Sequence, residues 1–211
     1  LNKKIVAVIG GGKYDLFKQQ LIRRLRAPKE LLRKLFLFPT TATSFYRYDR
    51  GWKRMYYHQL EKREKRAIRK AFQESFKETG YAHPKKVYGP VIEDRGTQIT
   101  FSALGQEIVA ELGSRGVQLK KKWLDQNKAI KMKLAKALQR RLPGLEVRAA
   151  GYTSIDITRK GIDKAFGIEQ IEKHLHVSRR QMLFIGDALF PGGNDYAVRR
   201  TGVQCIAVPG P

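Results

Sequence analysis

Acidic residues and cysteines are scarce in this sequence of 211 residues. Nineteen aspartates and glutamates stand against 43 lysines and arginines, so the formal net charge is +24 at pH 7. A single cysteine, Cys205, excludes an internal disulfide framework and fits a reducing compartment. No apolar run is long enough for a membrane-spanning helix, and the apolar part of LNKKIVAVIG is too short for a signal peptide. We therefore expect a soluble, cytoplasmic protein.

The positive charge needs an explanation, because ordinary solvated helix faces mix both signs. Basic residues are spread through segments with helical spacing, such as EKREKRAIRKAFQ and KAIKMKLAKALQRR. For any single run a solvated helix face is the simplest interpretation, but the total charge is typical of proteins that bind polyanions. Nucleic acid or another polyanion is therefore a candidate partner. A charge engineered onto an ordinary scaffold is the alternative.

Hydrophobic periodicity predicts a core of alternating strands and helices at both ends of the chain. The run KKIVAVIGGG predicts a buried strand that ends in a glycine loop, and RQMLFIGDA and VQCIAV predict two more buried strands. Between the two ends, EKREKRAIRKAFQESFKETG predicts a helix capped by Gly80, and VYGPVIEDRGTQITFSAL alternates like a sheet with one covered face. We predict an α/β core, residues 1–59 and 159–211, interrupted by an α+β unit at residues 60–158.

Two aspartates lie in the segment GDALFPGGNDYAVRRTG near the C-terminus. Asp187 directly follows an apolar strand, at the carboxyl end where open α/β sheets bind their ligands. Asp195 follows across a glycine loop, and two such carboxylates make an oxygen site suited to Mg²⁺ and, through it, to phosphate. An N-cap of the next helix is the alternative for Asp195. Asp187 closes a strand, so capping does not explain it.

These segments resemble the motifs of the haloacid dehalogenase (HAD) superfamily of phosphohydrolases, in the form of subfamily IIB, which includes phosphomannomutases and sugar phosphatases. FIGDALFPGGNDY is similar to the fourth motif, RKGIDKAFGI to the third and VIGGGKYDLF to the second, while EDRGTQITFSALGQ and TSIDIT are similar to strands of the cap. The resemblance covers nearly the whole chain. It implies a Rossmannoid parallel-sheet core with a C2-type cap, and magnesium-dependent hydrolysis of a small phosphorylated substrate such as a sugar phosphate.

The resemblance also implies roles for individual residues. Lys164 matches the lysine that holds the phosphoryl oxygens, and Asp187 and Asp195 match the carboxylates that hold Mg²⁺. Gly10 and Gly11 lie in the motif that binds phosphate. In the cap, the residues at or beside positions where phosphomannomutases contact substrate are Arg95, Ser154 and Asp156. For each cap residue, an outward polar side chain of an alternating strand is an equally simple interpretation.

The sequence departs from the family pattern at three points. Gly10 replaces the serine of the second motif, which leaves backbone N–H groups to bind the phosphate. Gln106 replaces an arginine of phosphomannomutases, so the resemblance does not extend to a hexose bisphosphate-type substrate. The family's first strand, which carries the nucleophilic and acid/base aspartates, is not among these residues. Because it lies in the middle of the sheet, we expect it to come from residues that precede Leu1 or from another chain.

Two functions are compatible with the sequence. The motif context of Lys164, Asp187 and Asp195 favours a phosphohydrolase, whereas the charge, Gly10 and the missing aspartates favour a catalytically inactive relative in a nucleic-acid-binding or ribonucleoprotein role. An aromatic cluster interleaved with arginine and lysine could stack on RNA, although a hairpin packed on its own sheet is the commoner arrangement. The cluster comprises Phe45, Tyr46, Tyr48, Trp52, Tyr56 and Tyr57. The four histidines have no metal-ligand neighbours, and we expect Cys205 in the core.

Overall fold

The structure is a computed structural model that describes residues 4–210. The chain divides into two compact units, the first formed by residues 4–58 and 161–210 and the second by residues 59–160. Each unit has its own sheet structure and its own hydrophobic core. None of the helices within the described residues is long and apolar enough to cross a membrane.

Strands and helices alternate along the chain. The strands are β1 (Val6–Ile9), β2 (Leu35–Phe38), β3 (Ser44–Tyr48), β4 (Trp52–Tyr57), β5 (Ile92–Asp94), β6 (Ile99–Ser102), β7 (Leu145–Ala150), β8 (Ser154–Arg159), β9 (Leu183–Gly186) and β10 (Gln204–Ala207). The α-helices are α1 (Tyr14–Phe17), α2 (Lys29–Leu32), α3 (Pro39–Ala42), α4 (Lys62–Thr79), α5 (Ile108–Arg141) and α6 (Lys164–Leu175). A π-helical turn at Lys18–Ile22 continues α1, and 3₁₀ turns cover Arg179–Gln181 and Tyr196–Thr201.

The first unit contains two sheets. One has the strand order β1-β2-β3-β4, in which β1 and β2 are parallel and the β2–β3 and β3–β4 pairs are antiparallel. The other is the parallel pair β9 and β10. β3 and β4 form a hairpin, because they pair on either side of residues 49–51.

The prediction that the C-terminal strands are buried is wrong. Leu183 and Ile185 of β9 are 52% and 59% exposed, and Ile206 of β10 is 45% exposed. Within the described residues, β9 pairs on one edge only, with β10, and β1 pairs on one edge only, with β2. A cleft of about 950 Å³ is lined by β1, β9 and one side of α6. An apolar strand is buried only when neighbouring strands cover it, and the described residues contain no strand between β1 and β9.

α3, which follows β2 at the carboxyl end of the first sheet, is a strained left-handed turn and not a regular α-helix. Thr40, Thr41 and Ala42 have φ angles of 49°, 57° and 63°, a region that costs non-glycine residues about 1–3 kcal/mol each. Two backbone hydrogen bonds hold the turn against the loop after β1: Thr40 N donates to Gly12 O and Thr41 N to Gly10 O, both at 2.9 Å. The turn therefore fixes the shape of the glycine loop that the sequence assigns to phosphate binding.

The second unit is an antiparallel sheet with the strand order β5-β6-β8-β7, covered on one face by α4 and α5. Its core consists of alternate strand residues and the inner sides of both helices. The largest fully buried members are Phe72, Phe101, Leu134, Leu138, Ile155 and Ile157. The predicted C-cap of α4 is confirmed, because Gly80 is left-handed with a φ of 68°, and a capping box of Glu61 and Glu64 begins the helix.

Candidate functional site

The loop between β9 and the 3₁₀ turn at Tyr196–Thr201 carries both predicted metal ligands. β9 ends at Gly186, so Asp187 lies at the carboxyl end of a parallel strand, as the sequence predicts. Its carboxylate is exposed and accepts no hydrogen bond from another described residue. Asp187, Asp195 and Lys164 all line the cleft between β1 and β9. The structure therefore brings the three residues of motifs III and IV to one place.

Asp195 is the buried member of this group. It is 0% exposed, its Oδ1 accepts a hydrogen bond from Lys164 Nζ, and its Oδ2 accepts one from Ala188 N at 3.0 Å. Asp195 N in turn donates to Ala188 O at 3.2 Å. The side chain makes no capping hydrogen bond to the following 3₁₀ turn, so the capping alternative for Asp195 is wrong.

Two further interactions position Lys164 at the first residue of α6. Asp163, the residue before it, is the N-cap, and its Oδ1 accepts a hydrogen bond from Phe166 N at 3.0 Å. Asp163 Oδ2 is also paired with the Arg200 guanidinium. Asp163 therefore fixes the start of α6, and Arg200 holds Asp163 in place. From this fixed position the Lys164 side chain reaches Asp195.

Two glycines make room for the buried carboxylate. A Cβ atom on Gly186 would lie 2.5 Å from Asp195 Oδ2, and a Cβ atom on Gly193 would overlap the carbonyl oxygen of Ala188. Gly192 is different, because it has a φ of 85° and its Cβ position is open. Gly186 and Gly193 are therefore required by close packing around Asp195, and Gly192 by its backbone conformation.

The donor set at this loop fits Mg²⁺. The described residues contain no group of three or more histidine, cysteine, aspartate or glutamate side chains that could hold a metal ion. Mg²⁺ is commonly held by only one or two carboxylates together with water and phosphate. Each carboxylate oxygen of Asp195 accepts one hydrogen bond and keeps a second lone pair that could bind a metal ion. The lone pairs of the Asp187 carboxylate are not used by any described residue. These two aspartates would hold the ion.

The predicted cap residues lie in the second unit. Ser154 and Asp156 are on β8, opposite Ser102 and Thr100 of β6, and their side chains share one face of the sheet. Arg95 lies in the turn after β5, where its Nε donates to Glu93 Oε2 at 2.8 Å and its Nη2 to Gln106 Oε1 at 3.1 Å.

Asp156 has the most unusual environment in this unit. Burial raises its pKa, and hydrogen bonds from Thr100 and Gln98 together with the charge of Arg95 oppose this shift. Its Oδ1 has no hydrogen-bond partner in the described part of the chain, and neither does Gln98 Oε1. A buried carboxylate with an unpartnered oxygen is a costly arrangement, and ordinary outward polar residues do not show it.

We expect Asp156→Asn to stabilise the protein at neutral pH and to have little effect near pH 4. The folded-state pKa lies above the ordinary value of 3.8, so the unfolded state binds fewer protons between the two values and stability falls as the pH rises through that window. Asparagine removes this loss, because it is neutral at every pH. Urea unfolding near pH 4 and near pH 7.5 measures the difference, and an equal effect at both would show that the charge of Asp156 is not the cause.

The sequence of residues 2–206 matches the family described as eukaryotic phosphomannomutase. The chain belongs to this phosphomannomutase family. A search of curated proteins found no match to the chain. The family assignment confirms the resemblance that motifs II, III and IV indicate.

Solved structures similar to this phosphomannomutase family member include a nucleotidase, a sugar phosphatase and a haloacid dehalogenase-like hydrolase. These are IMP-nucleotidase from Plasmodium falciparum (TM-score 0.64, 12% identity), a haloacid dehalogenase-like hydrolase from Bacteroides thetaiotaomicron (0.56, 13%) and sucrose-phosphatase from Synechocystis (0.51, 13%). The alignments cover 100%, 91% and 96% of this chain and 51%, 70% and 68% of those chains, respectively, so it spans about half the length of the IMP-nucleotidase. At these identities the likeness establishes the fold, and it confirms the predicted HAD-like α/β core with a cap.

The structure shows the surroundings of two of the three departures from the family pattern, Gly10 and Gln106. Gly10 N donates to Phe38 O at 3.2 Å, so this N–H group is used within the fold, and the phosphate-binding role of Gly11 stays a prediction. A Cβ atom on Gly10 would come within 3.0 Å of the Phe17 ring, which explains the glycine. The Gln106 side chain joins the turn after β5 to β6, because its Oε1 accepts a hydrogen bond from Arg95 Nη2 and its Nε2 donates one to Thr100 O at 3.2 Å.

Lys131 is a residue that the sequence analysis missed. It is 4% exposed, and its Nζ donates to the three carbonyls of residues 150–152 at 3.0, 2.7 and 3.3 Å. Burial lowers its pKa to about 8, against the attraction of Asp156. One sequence signal could have identified it: Lys131 lies three and seven residues before Leu134 and Leu138, and this spacing places a lysine on the apolar side of α5.

The aromatic cluster of the β3–β4 hairpin is packed within its own unit. Tyr46 stacks on Tyr14 with ring centroids 3.9 Å apart, Phe45 stacks on Phe38 at 4.6 Å, and Tyr48 meets Trp52 at 5.7 Å. Tyr56 contacts both His58 and His174. These contacts favour a packed hairpin over the RNA-stacking alternative.

Proposed function

We propose that this phosphomannomutase family member is a magnesium-dependent phosphohydrolase that acts on a small phosphorylated substrate such as a sugar phosphate. One observation carries the proposal: at the end of β9, an exposed carboxylate, Asp187, and a buried carboxylate, Asp195, share a cleft with the ammonium group of Lys164. A protein that only binds has no need of this set. The glycines that pack around Asp195 also indicate a loop built to hold this carboxylate in place.

Each residue has a separate task in this proposal. Asp187 and Asp195 hold Mg²⁺, which offsets the repulsion between an anionic nucleophile and the phosphoryl group. Lys164 binds the phosphoryl oxygens, and its ion pair with Asp195 holds the loop after β9 against the start of α6. Ala188 N orients the second oxygen of Asp195. The chain thus supplies the cationic and metal-binding side of the reaction.

The nucleophile, in this proposal, comes from a strand that occupies the cleft between β1 and β9. Both strands have a free edge there within the described residues, and each has a parallel partner on its other edge. A strand of the length of β1, about 13 Å, inserted parallel to both would place its carboxyl end next to Lys164 and Asp187. Residues that precede Leu1, or another chain, supply this strand.

Fusing an apolar strand that ends in two aspartates to Leu1 through a Gly/Ser linker should produce Mg²⁺-dependent hydrolysis of an aryl phosphate. Replacing Asp187 by Asn in the fusion should lower kcat/KM about 100-fold or more, because one of two metal ligands is lost. Without the strand, the chain should bind Mg²⁺ but show no turnover, and the rise of its thermal unfolding temperature with Mg²⁺ should disappear in Asp187→Asn.

Two controls separate the site from the rest of the proposal. A fusion in which both aspartates of the added strand are asparagines should be as stable as the active fusion and inactive. Exposed Asp15, replaced by Asn, should leave turnover unchanged. Hydrolysis that does not need Mg²⁺, or an Asp187→Asn fusion as active as its parent, would refute the assignment.

A further inference from the structure

The two long helices of the second unit form a layer whose exposed side carries more basic than acidic groups. α4 and α5 pack against the same sheet face through Ile68 and Phe72 on one helix and Leu134 and Leu138 on the other. Their opposite sides therefore face away from the sheet together. We call the outward sides of α4 and α5 the helical layer.

On α5, four of the six residues in one exposed row are basic. Residues spaced three and four apart share a side of a helix, and from Lys122 onward every member of this row is exposed. The row reads Lys122, Gln126, Ala129, Lys133, Lys136 and Arg140. At 1.5 Å per residue it is about 27 Å long, close to one turn of a nucleic-acid duplex.

α4 carries a second row with the same character. Its exposed members at spacings of three and four are Arg63, Arg66, Lys70, Gln73 and Lys77. The acidic residues beside this row are already neutralised, because Arg141 is paired with both Glu74 and Glu78 across the two helices. Like charges at these spacings repel one another, so the row lowers the stability of the isolated helix.

Within the described residues, five cations of the two rows take part in no salt bridge: Arg66 and Lys77 on α4, and Lys122, Lys133 and Lys136 on α5. Glu74 and Glu78 of α4 are paired with arginines or lysines, and Asp125 of α5 is exposed and in no salt bridge with a described residue. A surface that keeps unneutralised cations in two neighbouring rows matches an extended anion with regularly spaced charges.

The side chains of the layer distinguish between polyanions. A single strand is bound by stacking on aromatic rings, but Phe72, Phe76 and Trp123 of these helices are turned into the core. A membrane surface needs apolar side chains that insert, and the large exposed ones on these helices are only Val109 and Met132. We propose that the helical layer binds the phosphate backbone of a nucleic-acid duplex without reading its sequence.

The test compares two variants of the full chain that lose the same charge. The layer variant carries Arg66→Gln, Lys77→Gln, Lys122→Gln and Lys136→Gln, and the control variant carries Arg23→Gln, Arg24→Gln, Lys29→Gln and Arg33→Gln in exposed positions of the first unit. Binding to fluorescent RNA and DNA duplexes of about 20 base pairs, in two unrelated sequences each, is measured across salt concentration.

The layer variant should bind about 30-fold or more weakly, with a log–log salt slope smaller by about 3.6, since each lost phosphate contact accounts for about 0.9. The control variant should stay within about 3-fold of the parent with an unchanged slope. A charge-preserving variant, Lys122→Arg with Lys136→Arg, should bind like the parent.

Several results would overturn the proposal. Equal losses in both variants would show that net charge alone attracts the duplex. Tighter binding to single strands than to duplexes would identify a different nucleic-acid surface. Binding to vesicles containing phosphatidylserine, with no duplex binding at low salt, would identify a membrane as the partner. All variants should unfold at the temperature of the parent or above, because repulsion is relieved or unchanged.

Discussion

Lys164→Met should lower the free energy of unfolding by about 3–5 kcal/mol, one of the two largest single effects that we expect in this chain. Asp195 is fully buried and Lys164 is its only charged partner in the described residues. Without the ammonium group, a carboxylate is left in the interior with one neutral donor, Ala188 N. Removing one member of a buried pair leaves the charge of the other uncompensated, and that penalty is the origin of the effect.

The double variant Lys164→Met/Asp195→Asn should recover most of this loss. Asparagine keeps an oxygen that can accept from Ala188 N but carries no charge that needs the lysine. Lys173→Met, on the exposed side of the same helix, is the matched control and should stay within about 0.5 kcal/mol of the parent. Urea unfolding followed by circular dichroism measures all three, and a double variant no more stable than Lys164→Met would contradict this account.

Gly193→Ala should cost about 3 kcal/mol and disorder the loop that holds Asp195. Its Cβ atom would overlap the carbonyl oxygen of Ala188, a backbone atom that cannot rotate away. Ala188 N donates to Asp195 Oδ2 and Ala188 O accepts from Asp195 N, so moving this residue breaks one hydrogen bond of the carboxylate and one of the Asp195 backbone.

Gly192→Ala is the matched control for this prediction. Its added Cβ atom meets nothing within 4 Å, and only its φ of 85° opposes the change, which costs about 1 kcal/mol. Urea unfolding compares the two, and the rise in thermal unfolding temperature with Mg²⁺ should be lost in Gly193→Ala and kept in Gly192→Ala. The prediction fails if Gly192→Ala is the more destabilised variant.

The sequence was sufficient to predict that Lys164, Asp187 and Asp195 lie together, whereas the roles predicted for Gly10, Gly11, Arg95, Ser154 and Asp156 stay predictions. Asp187 after an apolar strand and the glycines that follow are local patterns, and the third and fourth motifs place Lys164 and Asp195 in the same family site. The pairing of Lys164 with Asp195 joins residues 31 positions apart, and no local pattern specifies such a contact. The depth of Asp195 in the loop also depends on close backbone packing at Gly193, which a glycine count does not reveal.

Exposure was harder to predict than secondary structure. Periodicity identified β9 and β10 as apolar strands, but burial also depends on the neighbouring strands, and the described residues contain none on the edge of β9 opposite β10. Leu16, Phe17, Leu21 and Ile22 have helical spacing, but the structure divides this segment into one α-helical turn and a π-helical turn. On α5, Lys131 lies among apolar neighbours because three carbonyls of the β7–β8 turn accept its hydrogen bonds, a tertiary arrangement outside the reach of helical spacing.

The edges of β1 and β9 that face the cleft have a consequence for any molecule in which no strand fills it. An apolar strand edge is a template for the strands of other molecules, and two such edges line the same cleft. With a net charge of +24, colliding molecules repel before these edges touch, but the range of this repulsion shortens to about 3 Å in molar salt. We therefore expect molecules with an empty cleft to stay dispersed at low ionic strength and to precipitate at high ionic strength.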